Sequence, residues 1–236
     1  MKVGLIGYGK MGKEVEKVLL HSGHEITAIY SSERLFLHDN SPDCDVLIEF
    51  SVPAAVNAHI EHAVKINKPL VIGTTGWYEL LEQKKNVVGN SIGCVYSGNF
   101  SPGVQILKKL TAELSQKISS IGGYDIAIIE KHHRHKKDSP SGTSLQLASI
   151  ILENHPQKKS ITSQPEDVVQ NPELLHVSGI RCGDIVGEHE IVADSIIDTI
   201  SISHIAKSRL GFAQGAVLAA ELIKDKKGFY EFSELL

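Results

Sequence analysis

Residues 130–143 read EKHHRHKKDSPSGT. Three histidines (His132, His133, His135) and three cations (Arg134, Lys136, Lys137) fall within six consecutive positions. Pro140, Ser141, Gly142 and Thr143 follow in a pattern that starts a helix, with Ser141 or its neighbours as the cap. The free N–H groups of a helix start point outward and favour an anion. Imidazole and ammonium groups beside them can exchange protons at working pH. The segment therefore reads as a site for a small anion with proton-transfer groups at hand. A solvated basic turn is the plainer alternative.

A second chemical signal opens the chain. Val3–Ile6 is a short apolar run followed by Gly7, Gly9 and Gly12, then a helical pattern at Met11, Val15, Val18 and Leu19. GxGxxG between a strand and a helix is the context in which that spacing binds a dinucleotide. Gly7 permits the tight turn, Gly9 lets backbone approach a pyrophosphate, and Gly12 lets helix and strand pack closely. After a second strand at Glu25–Tyr30, the acidic residue expected to hold the adenosine ribose is replaced by Ser31 and Ser32, with Glu33 and Arg34 beyond. With no carboxylate at the expected place nothing repels a 2′-phosphate and Arg34 could attract one, so NADPH use is allowed and favoured, while Glu33 could still serve NADH.

The elements that must position these groups alternate. Val46–Phe50, Leu70–Ile72 and Cys94–Ser97 read as buried strands, and Pro53 opens a helix reaching about Asn67. The strands run into Phe50-Ser51, Gly73-Thr74-Thr75-Gly76 and Ser97-Gly98-Asn99-Phe100. Strands separated by helices predict a Rossmann-like, doubly wound parallel sheet whose ligand lies at the carboxyl ends of the strands. Beyond residue 100 the pattern changes. A helical stripe runs through Val104, Leu107, Leu110, Leu114 and Ile118, and a strand at Asp125–Glu130 delivers the histidine cluster. A helix from Ser141 reaches about Asn154, and residues 155–173, with Pro156, Pro165 and Pro172, read as a long surface loop. Strands near 176–181, 185–193 and 196–205 predict a second, α+β domain with a mixed or antiparallel sheet. An Ala-rich helix from about Phe212 to Lys224 is expected to end the regular structure.

The totals exclude several classes. A net charge of −4 offers no global attraction to nucleic acid or to an anionic membrane. Hydrophobic content of 42% and charged content of 22% are those of an ordinary globular chain. Cys44, Cys94 and Cys182 are scattered and lack CxxC spacing, which argues against disulfides and thiolate zinc and fits a reducing compartment. MKVGLIGYG contains no signal-peptide pattern, and no 18-residue apolar span occurs, so a cytoplasmic location is expected.

Taken together, the chain resembles the dihydrodipicolinate reductase (4-hydroxy-tetrahydrodipicolinate reductase) family, NAD(P)H-dependent enzymes of bacterial and plant lysine biosynthesis. The resemblance rests on GYGKMG at 7–12, GTTG at 73–76, SGNFSPGV at 97–104, EKHHRHKKDSPSGT at 130–143, IRCGDIVGEHE at 180–190, FAQGA at 212–216 and GFYEF at 228–232. Lys131, Ser139 and Gln214 depart from the residues usual in the family. The resemblance implies reduction of a cyclic dicarboxylate imine, with water lost from the hydroxylated substrate and hydride taken at ring carbon 4. It assigns His132 as proton donor or acceptor and Lys136 as the proton donor. His133, Gly142 and Thr143 match substrate contacts. Gly7, Tyr8, Gly9, Lys10, Met11, Gly12, Gly73, Thr74, Thr75, Ser97, Gly98, Asn99 and Phe100 match the cofactor groove. It also implies a nucleotide domain from about 1–100 and 209–236, a substrate domain near 101–208, and a homotetramer assembled through the substrate-domain sheets.

The residue chemistry agrees. Hydride addition to a conjugated imine builds negative charge that a positioned acid must neutralise. Arg134 and Lys137 are expected to push the Lys136 ammonium pKa down, and His132 to exchange protons near neutrality. Arg181 could face an anion, but an exposed strand arginine is the expectation. A zinc hydrolase is disfavoured: three cations adjoin the histidines, and HExxH is absent, since Ala193 follows His189-Glu190 and Ala28 follows His24-Glu25 at the second-histidine position. A thiohemiacetal dehydrogenase would need an activated cysteine near the nucleotide motifs. A catalytically silent nucleotide sensor would not need the whole proton-transfer set.

Overall fold

The structure, a computed structural model, describes residues 1–236. In chain order the elements begin β1 (Lys2–Ile6), α1 (Lys10–His21), β2 (Glu25–Tyr30), β3 (Val46–Glu49), α2 (Pro53–Lys65), β4 (Leu70–Ile72), α3 (Leu81–Val88) and β5 (Gly93–Tyr96). They continue with α4 (Pro102–Ile121), β6 (Asp125–His132), α5 (Gly142–Asn154), β7 (Ser160–Thr162), α6 (Pro165–Gln170) and β8 (Leu174–Arg181). The last are β9 (Gly187–Asp194), β10 (Thr199–Ala206), α7 (Leu210–Ile223) and β11 (Gly228–Glu231). They form two compact units, Met1–Pro102 with Arg209–Leu236, and Gly103–Ser208. No helix is long and apolar enough to cross a membrane.

The first unit is built on a six-stranded, all-parallel sheet of order β11-β5-β4-β3-β1-β2. Because side chains alternate across a strand, its continuous apolar runs feed two cores at once. Val3, Leu5, Val46, Ile48, Val71 and Val95 pack with Val15, Val18 and Leu19 of α1 and the small residues of α7. Ile6, Leu47, Leu70, Ile72 and Cys94 face the other way, against Val56, Ile60 and Ala63 of α2 and Val88 of α3. Each fully buried aliphatic side chain contributes roughly 1.5–3 kcal/mol to such a layer. The sixth strand, β11, was not expected. Its residues are all only half-buried, without the alternation that marks a strand in sequence.

The second unit carries a five-stranded mixed sheet of order β10-β9-β6-β8-β7. The β10/β9 and β9/β6 pairs are antiparallel, and β6/β8 and β8/β7 are parallel. Ile126, Ile128, Leu175, Val177, Ile191 and Ala193 pack with Leu107 and Ile118 of α4 and Leu147, Ala148 and Ile151 of α5.

Two expectations need correction here. Residues 155–173 are not a structureless loop: they hold β7, which extends the sheet beside β8, and the short helix α6, started by Pro165. The buried face of α4 is also rotated from the expected stripe. Leu110 is exposed, and Thr111 and Ser115 are buried in its stead. Their hydroxyls donate to the carbonyls of Leu107 and Thr111, both at 2.7 Å, so polar side chains occupy the core face without an unpaired group.

Candidate active site

The glycine-rich turn of the first unit has the geometry its spacing implies. Gly7 sits at φ +89°, and a Cβ there would lie 2.1 Å from the Phe50 carbonyl oxygen. A Cβ on Gly12 would lie 2.3 Å from the Gly7 carbonyl oxygen, whereas one on Gly9 would meet nothing within 4 Å. Gly9 is also the N-cap of α1 and supplies no capping side chain. The start of α1 thus has open space before it and room for a phosphate group to approach the backbone.

Two concavities share Phe50 along the carboxyl ends of the strands. One, of about 690 Å³, is lined by Gly7, Tyr8, Gly9, Ser31, Ser32 and Glu33 among others. The second, of about 240 Å³, is lined by Met11, Gly73, Ser97, Gly98, Asn99 and Phe100 together with Phe212. Lys10 opens α1, Thr74 is buried with its hydroxyl accepting from the Ser51 N–H at 2.8 Å, and Thr75 is exposed. Arg34 does not line the groove. Its guanidinium lies 5.0 Å from the centre of the Tyr30 ring and pairs with Asp39 at 3.3 Å. Sequence reasoning missed His59, which lines the first concavity, and the fully buried Glu49, whose Oε1 is 3.4 Å from His59 Nδ1 and accepts from the Ser51 N–H. Neither lies in a recognisable motif.

In the second unit, β6 carries alternate residues Ile126, Ile128, Glu130 and His132 inward. His132 ends the strand, and the chain turns through His133, whose carbonyl accepts from the Lys136 N–H at 3.1 Å. The rings of His133 and His135 are 6.4 Å apart. Ser141 caps α5: its hydroxyl accepts from the Ser144 N–H at 3.2 Å. A Cβ on Gly142 would meet nothing within 4 Å, so the helix start is open on that side. The structure therefore gathers His132 and the Ser141–Thr143 turn around one group that the sequence reading passed over, the carboxylate of Glu130.

Glu130 is fully buried and accepts from Arg181 Nη2 at 2.7 Å, the Ser141 N–H at 3.1 Å and the Ser144 hydroxyl at 3.0 Å. Burial raises its carboxyl pKa, but the Ser141 and Arg181 hydrogen bonds and the Arg181 charge outweigh that and hold it below the usual range. Arg181 is thus not an exposed strand arginine. It is mostly buried and bridges Glu130 and the Asp138 carbonyl. His132 is also buried, and desolvation lowers its pKa against the opposing pull of Glu130, which corrects the expectation of an unperturbed imidazole. His189 lies deeper, its ring 5.2 Å from that of His132, and burial pushes its pKa down to about 4.

Lys136 has a different neighbourhood from the one expected. Its nearest charge is not a cation but Asp138, both of whose oxygens lie 2.9 Å from Nζ. That hydrogen bond holds the Asp138 carboxyl below its ordinary pKa.

By count, Glu130, His132 and His189 are a possible metal set, since their ligand atoms lie within 4.8 Å of one another. The donor chemistry does not fit one. Both Glu130 oxygens are already engaged, and the Arg181 guanidinium would sit against an added cation. The cysteines are poor nucleophile candidates: burial raises the Cys44 pKa to about 11 and the Cys94 pKa still further, and Cys182 lies outside the first unit.

Comparison with known proteins agrees with this geometry. Residues 1–100 match the family model described as dihydrodipicolinate reductase, N-terminus, and residues 103–236 match its C-terminus counterpart. The chain belongs to the dihydrodipicolinate reductase family. A relative named 4-hydroxy-tetrahydrodipicolinate reductase from Christiangramia forsetii is 36% identical over all of this chain and 98% of its own. A protein of the same name from Staphylococcus carnosus is 34% identical over all of this chain and 99% of its own. The solved structure of dipicolinate-bound dihydrodipicolinate reductase from Paenisporosarcina sp. TG-14 shares the fold with a TM-score of 0.84. That alignment covers all of this chain and 99% of the other at 22% identity.

Proposed function

We propose that the protein reduces 4-hydroxy-tetrahydrodipicolinate to tetrahydrodipicolinate with NAD(P)H, in the diaminopimelate route of lysine biosynthesis. The observation that carries this reading is the full-length match to relatives of that activity. The Glu130–His132–Ser141 constellation in the second unit and the open glycine turn in the first support it.

The nucleotide supplies hydride when bound. Gly7, Gly9, Gly12 and the start of α1 are suited to its pyrophosphate, and Ser31, Ser32 and Glu33 to the adenosine ribose. Gly73 and Ser97–Phe100 line the further concavity. His133 and the Gly142–Thr143 turn hold substrate carboxylate, with backbone N–H groups as donors. Loss of water from the hydroxylated substrate first gives the conjugated imine; as its ring carbon 4 then gains the hydride, electron density moves through that system, and Lys136 gives up a proton to the developing anion. His132 exchanges a proton in the same sequence. The nucleotide role belongs to 1–100 with 209–236, and the substrate role to 101–208.

A homotetramer built through the second unit's sheet is part of the proposal. Ile196 and Ile197 at the β9–β10 turn and Ile205 on the edge strand β10 are exposed apolar groups of the kind an interface covers. We place the activity in the cytoplasm. Light scattering of the purified protein tests the assembly.

The deciding experiment follows the loss of NADH or NADPH absorbance after adding substrate generated in situ from pyruvate and aspartate semialdehyde by the preceding synthase. Substrate-dependent oxidation is expected. Folded protein that binds both nucleotides yet oxidises neither would transfer the case to a nucleotide sensor.

A further inference from the structure

We propose that Glu130 is a positioning residue that sets the tautomer of His132, its anchored carboxylate favouring a proton on the adjacent Nδ1 and leaving Nε2 for proton exchange. The inference rests on the reductase reading only in giving that exchange a use.

The case begins with strand periodicity. Ile126, Ile128, Glu130 and His132 share the inward face of β6, so a carboxylate occupies a position where an aliphatic side chain would pack. An isolated charge is costly there, and the surroundings are built to accept it. Register sets Glu130 between His189 on β9 and Gly179 on β8, and sets His132 beside Arg181. A Cβ on Gly179 would come within 3.0 Å of Glu130 Oε1 and 2.6 Å of the Ser139 hydroxyl, so glycine at that position leaves the carboxylate its space. Arg181, the Ser141 N–H and the Ser144 hydroxyl then fix both oxygens.

Held this way, Oε2 lies 3.2 Å from His132 Nδ1. That ring nitrogen is buried and makes no aligned hydrogen bond, so its contact with Oε2 is a close electrostatic one. A buried orphan nitrogen beside an anchored anion is stabilised as N–H, which makes the other nitrogen the basic one. Nε2 lies on the Gly187 side, where a Cβ would approach it to 3.2 Å. The other charged or titratable groups acting on His132 are Lys136 and Asp138 from the following loop, Arg181 from β8 and His189 from β9. Glu130 is the nearest anion among them. The same carboxylate grips Ser141, so one group sets the spacing between His132 and the proposed anion-binding turn at Gly142 and Thr143.

A merely structural Glu130 would tie α5 to the sheet without deciding the His132 tautomer. Nitrogen-15 NMR of histidine-labelled, full-length protein without ligand separates the two. The unaltered protein is expected to show His132 as the Nδ1–H tautomer. In Glu130→Gln the His132 titration midpoint should fall. kcat should drop about a hundredfold, while the KM for nucleotide changes less than about twofold. Because Glu130→Gln strips Arg181 of its counter-charge, the double variant Glu130→Gln, Arg181→Gln is measured beside it, and the wild-type spectrum depends on neither. An Nε2–H tautomer in the unaltered protein, or a folded variant with unchanged titration and pH profile, overturns the proposal. An Nδ1–H tautomer in a protein that oxidises no nucleotide would sink the reductase reading and leave the positioning role standing.

Discussion

Both carboxylate oxygens of Asp138 lie 2.9 Å from the Lys136 ammonium. Asp138 is more than half exposed, so the pair contributes less than about 1 kcal/mol to stability. Its effect is to anchor the ammonium at the mouth of the turn. Lys136→Ala should lower kcat by about 10²–10⁴-fold with little change in melting temperature. Asp138→Asn should lower it far less. Steady-state kinetics beside thermal melts check both, and near-normal turnover in Lys136→Ala would remove that residue from the acid role.

The buried histidines give a pH prediction. His189 titrates near 6.5 when unfolded and at about 4 in the fold, so the unfolded chain binds more protons between those values. Its stabilising contribution is complete above about pH 6.5 and declines as the pH falls toward about 4, by on the order of 3 kcal/mol in all. His132, also lowered by burial, adds in the same direction. Urea midpoints from pH 8 to pH 4 should follow this slope, and His189→Asn should flatten it. An unchanged slope in that variant would assign the acid sensitivity to the carboxylates instead.

The glycine turn allows binding to be separated from folding. A methyl group on Gly9 meets nothing within 4 Å, whereas one on Gly12 would strike the Gly7 carbonyl oxygen. Gly9→Ala should therefore keep its melting temperature and lose nucleotide affinity by about tenfold or more. Gly12→Ala should destabilise the fold by roughly 1–3 kcal/mol. Calorimetric titration with NADH and NADPH, alongside melts, measures both effects.

Nucleotide preference should follow Glu33. Glu33 lines the groove, while Arg34 is occupied by Tyr30 and Asp39. NADH is expected to bind more tightly than NADPH, and Glu33→Ala to shift the ratio toward NADPH by about tenfold, since a carboxylate there repels a 2′-phosphate. Fluorescence titrations of both nucleotides decide it. A ratio that moves with Arg34→Ala and not with Glu33→Ala would reverse the assignment.

What could be read in the sequence was local. Glu25–Tyr30 and Leu70–Ile72 are strands with the expected bounds because their apolar runs end in sharp turns. Gly7, Gly9 and Gly12 carry their meaning in spacing alone. The buried face of α4 was hidden because Thr111 and Ser115 look polar until their hydroxyls are seen to bond one turn back. Glu130 was hidden for a related reason. It appears as one charge beside many, and its burial depends on partners in β8, β9 and α5 that only the folded sheet brings near. The one trace in sequence is its phase, two residues past Ile128 on an otherwise apolar face. Asp138, two residues from Lys136, needed no distant partner, but spacing could not show which way its carboxylate turns.

The first sheet is stitched from both ends of the chain, since β11 adds its edge strand and α7 covers one face after the whole second unit has intervened. On a ribosome, Val3, Leu5, Val46, Val71 and Val95 would emerge long before the α7 residues that cover them. Residues 103–208 have a core of their own and can close while the earlier strands still wait. Order of synthesis and order of completion are therefore inverted in this protein. Its nucleotide-binding half is the first to be made and the last to be finished.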